Sequence, residues 1–102
     1  MKLKEAPKQV KIEVTQTDIN RGDQGNAEAC AIARAIKRTM GDHPIVDDGF
    51  TVEVGKKQHY YTFPQKAQAF IERFDEDKKL VKPFSFVAKR VGEGEPMEYE
   101  DK

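Results

Sequence analysis

Residues 26–41 read NAEACAIARAIKRTMG, and the rest of the fold can be worked out from this stretch. Its apolar side chains recur at intervals of three and four residues, the pattern of a helix with one buried face. Asn26 is a favourable N-cap, whereas Gly41 followed by Pro44 is typical of a helix end. We therefore predict a helix over residues 27–40 that lies close to a sheet through its small alanines. Its buried stripe is Ala29, Ile32, Ala33, Ile36 and Met40.

Four segments around this helix are predicted to be strands, three because they alternate apolar and polar residues and the one over residues 57–62 because it is rich in β-forming residues. The first covers residues 10–14, before the helix. The second and third, residues 50–54 and 57–62, are joined by a two-residue turn that begins with Gly55. The fourth covers residues 84–89.

A second helix is predicted between the third and fourth strands, with Pro64 at its first position. Its apolar residues, again at helical spacing, are Ala67, Phe70, Ile71 and Phe74. The predicted order is β-α-β-β-α-β, an α+β fold in which two helices cover one face of a four-stranded antiparallel sheet. The ferredoxin-like arrangement is the commonest for this order. A rearranged sheet is the alternative, because the order along the chain does not determine which strands are neighbours.

The chain has 102 residues, enough for one small domain. We predict a flexible lead-in over residues 1–8, a single domain over residues 9–90 and an acidic, disordered tail over residues 91–102. The 18 basic and 18 acidic residues cancel overall, but residues 93–102 hold five acids and one base. No apolar run is long enough to cross a membrane, and the N-terminal residues lack the apolar core of a secretory signal.

No residue pattern points to catalysis or to a cofactor. Ser85 is the only serine and alternates with phenylalanines in a predicted strand. Cys30, the only cysteine, lies at the margin of the apolar stripe, where a buried structural role is expected. His43, Asp47 and Asp48 could supply three metal ligands, but a turn already accounts for the two aspartates. We therefore predict a protein that is not an enzyme and holds neither metal nor cofactor.

The loop that precedes the first helix is the most unusual local feature. Residues 21–26 read RGDQGN, and free N–H groups at a helix N-terminus can hold an anion. Gly22, Gly25 and Asn26 would bind a nucleotide or another small anion there, with Arg21 beside them. The alternative is a structural turn in which both glycines have positive φ.

A basic patch on the first helix is the best candidate for a binding surface. Arg34 and Arg38 share a helix face, Lys37 lies between them in sequence, and Arg21 precedes the helix. We predict that these four residues contact a partner, expected to be a protein of the bacterial host or of a phage. Nucleic acid bound through its phosphates is the alternative. A homodimer that forms through an exposed sheet edge is a further alternative.

The most distinctive motifs are INRG at residues 19–22, then Gly25 and Cys30 before the alanine-rich helix, AFIERFD at residues 69–75 and PFSF at residues 83–86. Together they resemble a family of small proteins encoded by tailed phages and prophages. The resemblance covers residues 10–88 and departs from the family at Ala31, where proline usually follows the cysteine.

The resemblance implies a virus-encoded protein of the bacterial cytoplasm and transfers no catalytic residues. We therefore predict a non-enzymatic phage accessory protein that binds a host or phage macromolecule. Inhibition of a host enzyme or defence complex is one role of this kind. Nucleic-acid binding through the basic helix face, and anion binding at the loop before the helix, remain the alternative functions.

Overall fold

Five strands and three α-helices form in the part of the chain that the computed structural model describes, residues 3–93. In chain order they are β1 (Gln9–Val14), α1 (Gln16–Arg21), α2 (Ala31–Thr39), β2 (Asp42–Val46), β3 (Gly49–Val54), β4 (Lys57–Thr62), α3 (Gln65–Glu76) and β5 (Phe84–Glu93). A short 3₁₀ helix, Lys78–Leu80, lies between α3 and β5. The predicted α+β class is therefore confirmed.

All five strands belong to one antiparallel sheet in the order β1-β5-β4-β3-β2. The hairpin of β3 and β4 turns at Gly55 and Lys56, as predicted. The predicted count of four strands is wrong. The ferredoxin-like order is also wrong, because β1 lies at an edge of the sheet beside β5 rather than in its middle. The strands are therefore rearranged.

The strand that the sequence analysis missed is β2. Its sequence, DHPIV, ends in three consecutive nonpolar residues, so no alternating pattern marks this segment. In addition, Pro44 has no N–H to donate to a neighbouring strand, and His43 has a positive φ of 55°. Both residues are tolerated because β2 is an edge strand whose register shifts between Asp42 and Ile45.

The helix α2 packs against both β1 and β2, the two edge strands of the sheet. One helix reaches both edges because the sheet curls around it. Small side chains let the helix backbone approach closely, and Ala31, Ala33 and Ala35 are completely buried. The predicted start at residue 27 is wrong, because Cys30 is the N-cap and residues 27–30 form a turn. The predicted stripe is otherwise confirmed by the burial of Ile32, Ala33, Ile36 and Met40.

Pro64 is the N-cap of α3 rather than, as predicted, its first residue, and the helix buries Ala67, Phe70 and Phe74. Its Phe70 ring stacks on Phe84 of β5, with ring centroids 4.6 Å apart. This contact anchors α3 to the strand that follows it and forms the floor of a surface groove described below.

Residues 3–8, predicted as a flexible lead-in, make several contacts with the domain. The Lys8 carbonyl accepts the Arg90 N–H at 2.8 Å, and the Ala6 carbonyl accepts Arg90 Nη1 at 3.0 Å. At the other end of the chain, β5 extends to Glu93, beyond the predicted domain boundary at residue 90. The rest of the predicted tail, residues 94–102, lies outside the described residues. None of the helices formed by residues 3–93 has the length and apolar content that crossing a membrane requires.

Candidate interaction surfaces

The basic face of α2 is built around a buried carboxylate. Arg38 donates from Nη1 to Asp18 Oδ1 at 2.7 Å and from Nη2 to Asp18 Oδ2 at 2.9 Å. Arg34 Nε lies 3.6 Å from the same Oδ1 atom. Two of the four predicted partner-binding residues therefore converge on Asp18, which is completely buried. Asp18, the acidic third residue of α1, was not among the predicted site residues.

Asp18 also caps its own helix. Its carboxylate accepts the Thr15 N–H at 2.9 Å, while the Thr15 hydroxyl accepts the Asp18 N–H, which completes a capping box. Burial raises the pKa of Asp18, but the hydrogen bonds from Arg38 and Thr15 outweigh burial and leave the pKa below its ordinary value. The carboxylate is therefore ionised at neutral pH and holds α1 to α2.

The other two predicted residues lie apart from this pair. Lys37 lines a surface cavity of about 340 Å³ between α2 and β2, together with Glu28, His43, Pro44 and Ile45. Arg21 is exposed in the last turn of α1. Within residues 3–93, no described contact joins Lys37 or Arg21 to the arginine pair. Binding by the four residues together stays a prediction.

The loop over residues 21–26 already contacts an anionic group of the chain itself. Gly25 donates its N–H to Asp75 Oδ1 at 2.9 Å, and Gln24 Nε2 donates to the Phe74 carbonyl at 2.8 Å. The loop thus holds the C-terminal end of α3. Asn26 Oδ1 accepts the Glu28 N–H at 2.9 Å, in a local turn. These contacts favour the structural interpretation of the loop over a nucleotide site.

Only one of the two glycines in this loop has the predicted positive φ. Gly25 has a φ of 70°, but Gly22 is extended, so the prediction was wrong for Gly22. Gly22 is needed for space, because a Cβ there would lie 2.6 Å from the Ala31 nitrogen. The loop therefore passes directly against the first residue of α2.

Cys30 has a structural position, as expected. Its Sγ accepts the Ala33 N–H at 3.5 Å as the N-cap of α2. Burial raises the pKa of the thiol, and the charge of Asp75 adds to the shift. The thiol is therefore protonated at neutral pH, which disfavours a nucleophilic role.

The two histidines lie in different strands, His43 in β2 and His59 in β4. His59 is buried in β4, whereas His43 Nε2 lies 3.5 Å from Glu53 Oε1. Across the part of the chain that the structure describes, no three His, Cys, Asp or Glu side chains gather as a metal site requires.

Both edges of the sheet are partly covered, which bears on the predicted homodimer. The Lys8 carbonyl faces β5, so by strand alternation the Glu13 carbonyl faces the open edge of β1. Arg38 Nη2 donates to that carbonyl at 2.9 Å. On β2, the Val46 N–H donates to the Ala27 carbonyl at 2.9 Å. Edge pairing between two copies would have to displace these contacts.

A second surface, which the sequence analysis missed, lies between α3 and the segment that leads into β5. We call it the α3 groove. It is a cavity of about 300 Å³. One wall is the face of α3 that carries residues 66, 70 and 73, at helical spacing, and the other wall is residues 80–84. Its lining residues are Lys66, Phe70, Arg73, Leu80, Val81, Lys82, Pro83 and Phe84.

The α3 groove combines positive charge with an apolar floor. None of its lining residues is acidic, and within residues 3–93 no carboxylate lies within ion-pairing distance of Lys66, Arg73 or Lys82. Leu80 is 51% exposed at the rim. The spacing of Lys66, Phe70 and Arg73 was visible in the sequence, but the wall over residues 80–84 was not.

Comparison with models of protein families, with curated proteins and with solved structures finds no match for this chain. The resemblance to small phage and prophage proteins therefore remains an expectation from the motifs. The function of the protein is therefore inferred from the α2 face, the loop over residues 21–26 and the α3 groove.

Proposed function

We propose that this protein is a non-enzymatic accessory protein that binds an acidic segment of a partner protein in the α3 groove. The observation that carries the proposal is the set of three cations without carboxylate partners above a floor of Phe70, Val81 and Phe84. The cations attract carboxylates and orient the segment, whereas an apolar side chain placed on the floor supplies contact area.

The setting of this activity is a bacterium infected by a phage or carrying a prophage. The motifs at residues 19–22, 69–75 and 83–86, which resemble those of small phage proteins, support this part of the proposal. The partner is then a host or phage protein in the bacterial cytoplasm, and occupying its acidic segment would inhibit it. The structural use of Cys30 supports binding rather than catalysis.

Nucleic-acid binding on α2 is the second candidate. Arg34 and Arg38 both face Asp18, and the Arg38 side chain remains 46% exposed. The exposed part of this guanidinium group and the exposed Lys37 would contact phosphates. The α3 groove is the better protein site because it adds the apolar floor that a phosphate backbone does not need.

Binding of a synthetic peptide of alternating glutamate and leucine, measured by calorimetry, tests the proposal. We expect the triple variant K66E/R73E/K82E to bind at least about tenfold more weakly, since each exposed charge contributes roughly 0.5–1 kcal/mol. The matched control K8E/K56E/K89E carries the same net charge on exposed residues elsewhere and should bind like the unmodified protein.

Two results would contradict this function. Equal weakening in both triple variants would mean that only net charge matters. If single-stranded DNA binds with a steep salt dependence and loses affinity on Lys37→Glu but not in the groove variant, the nucleic-acid function replaces the protein-binding one.

A further inference from the structure

The residues beyond β5 have the composition that the α3 groove would bind. Residues 94–102 read GEPMEYEDK, with four acidic residues and one basic residue. Met97 and Tyr99 alternate with glutamates, so apolar and acidic side chains are interleaved. Within the same chain, the groove offers three cations around an apolar floor.

The α3 groove and the start of this segment lie at opposite ends of β5. Phe84, the first residue of β5, lines the groove, whereas the segment leaves β5 after Glu93. The strand between these two residues spans about 30 Å. Met97 and Tyr99 follow Glu93 by four and six residues, so their backbones reach at most about 14 and 22 Å. Met97 therefore falls short of the groove of its own chain, and the two side chains can lie on one groove floor together only in a second copy.

We propose that residues 94–102 of one copy bind the α3 groove of a second copy. This inference rests on the proposed function of the groove and adds its regulation. At high concentration the protein associates with itself and closes its own binding site, and an acidic partner segment of higher affinity releases it. Opposite charges on tail and groove hold the complex, with Met97 and Tyr99 on the floor formed by Phe70 and Phe84.

The dependence of the solution mass on concentration, measured by sedimentation at physiological salt, tests this inference on chains that include residues 1–102. We expect the mass of the unmodified protein to rise up to about twofold with concentration. The groove variant K66E/R73E/K82E and the tail variant E95K/E98K/E100K should each remain monomeric. Mixing these two variants should restore association, because the acidic tail of the groove variant fits the unchanged basic groove of the tail variant, and the reversed groove likewise matches the reversed tail.

A change in net charge alone could also keep the groove variant monomeric, so that variant needs a control. The surface variant K8E/K56E/K89E has the net charge of the groove variant but keeps both the basic groove and the acidic tail. It should therefore associate with itself as the unmodified protein does. If the surface variant is monomeric like the groove variant, net charge rather than the groove governs association, and the assignment of the tail to the groove is overturned. Melting curves of each variant verify that it is folded.

Two further outcomes separate this inference from the proposed function. If the unmodified protein is monomeric at every concentration but the glutamate-leucine peptide binds the groove, the tail proposal fails and the proposed function stands. If neither the peptide nor the tail binds, both fail. Association that survives both triple variants would assign the contact to another surface and would likewise overturn the tail proposal.

Discussion

Basic residues line both α2 and the α3 groove, but their surroundings differ. On α2, Arg34 and Arg38 converge on the buried carboxylate of Asp18 and join α1 to α2. In the α3 groove, Lys66, Arg73 and Lys82 surround an apolar floor without a carboxylate partner among residues 3–93. Within the described residues, the α2 arginines therefore have a buried counter-charge, whereas the cations of the α3 groove do not.

The largest effect should come from removing the counter-charge on α2. We expect Asp18→Asn to lower the free energy of unfolding by about 3 kcal/mol, because two arginines lose the buried carboxylate they share. Asparagine keeps an oxygen for the Thr15 N–H, so the loss reports the charge rather than the cap. Thermal or urea unfolding measures it, with the exposed Asp23→Asn as control. A change below about 0.5 kcal/mol, the usual range for a surface residue, would remove the distinction between the two faces.

The pH dependence of the free energy of unfolding tests the same role of the Asp18 charge. Since the folded-state pKa of Asp18 is lowered, its ionised form stabilises the fold above the unfolded-state pKa, near 3.9. This contribution disappears as the pH falls through the lower folded-state pKa. The stability difference between the unmodified protein and Asp18→Asn should therefore narrow below about pH 4. A difference that stays constant down to pH 2 would show that charge is not its origin.

An intermediate effect is expected where the loop over residues 21–26 meets α2. Gly22→Ala should destabilise the protein by about 1–3 kcal/mol, because its Cβ would overlap the Ala31 nitrogen. Gly25→Ala meets no atom within 4 Å, and we expect only the cost of its positive φ, about 1 kcal/mol. Chemical denaturation gives the free energy of unfolding of each variant for this comparison. If Gly25→Ala proved the more damaging, backbone conformation rather than close packing would govern this loop.

Local patterns in the sequence were enough to predict most of the elements but not their arrangement. The alanine-rich stripe of α2, the alternation in β1 and β3 and the β-forming residues of β4 are features of single elements, so they could be recognised in isolation. The strand β2 was missed because Pro44 and His43 suit only an edge position, which no single segment reveals. The order of the strands likewise depends on contacts between distant segments.

The candidate sites show the same limit. The spacing of Arg34 and Arg38 on one helix face was visible in the sequence, but Asp18 lies 20 residues before Arg38 and meets it only because α1 packs on α2. In the α3 groove, the cations are scattered between residues 66 and 82 among acidic neighbours. Their common surface exists only after residues 80–84 fold against α3.

The smallest effect on stability should come from the α3 groove itself. Lys66, Arg73 and Lys82 are exposed, so K66E/R73E/K82E should change the free energy of unfolding by less than about 1 kcal/mol, in contrast to the single substitution at Asp18. Equilibrium unfolding in urea gives this value. A loss as large as that of Asp18→Asn would mean that these cations stabilise the fold through contacts of their own, and the groove would then resemble the α2 face. A small loss combined with weakened peptide binding would separate the two faces, since one set of cations would maintain the fold and the other would serve recognition.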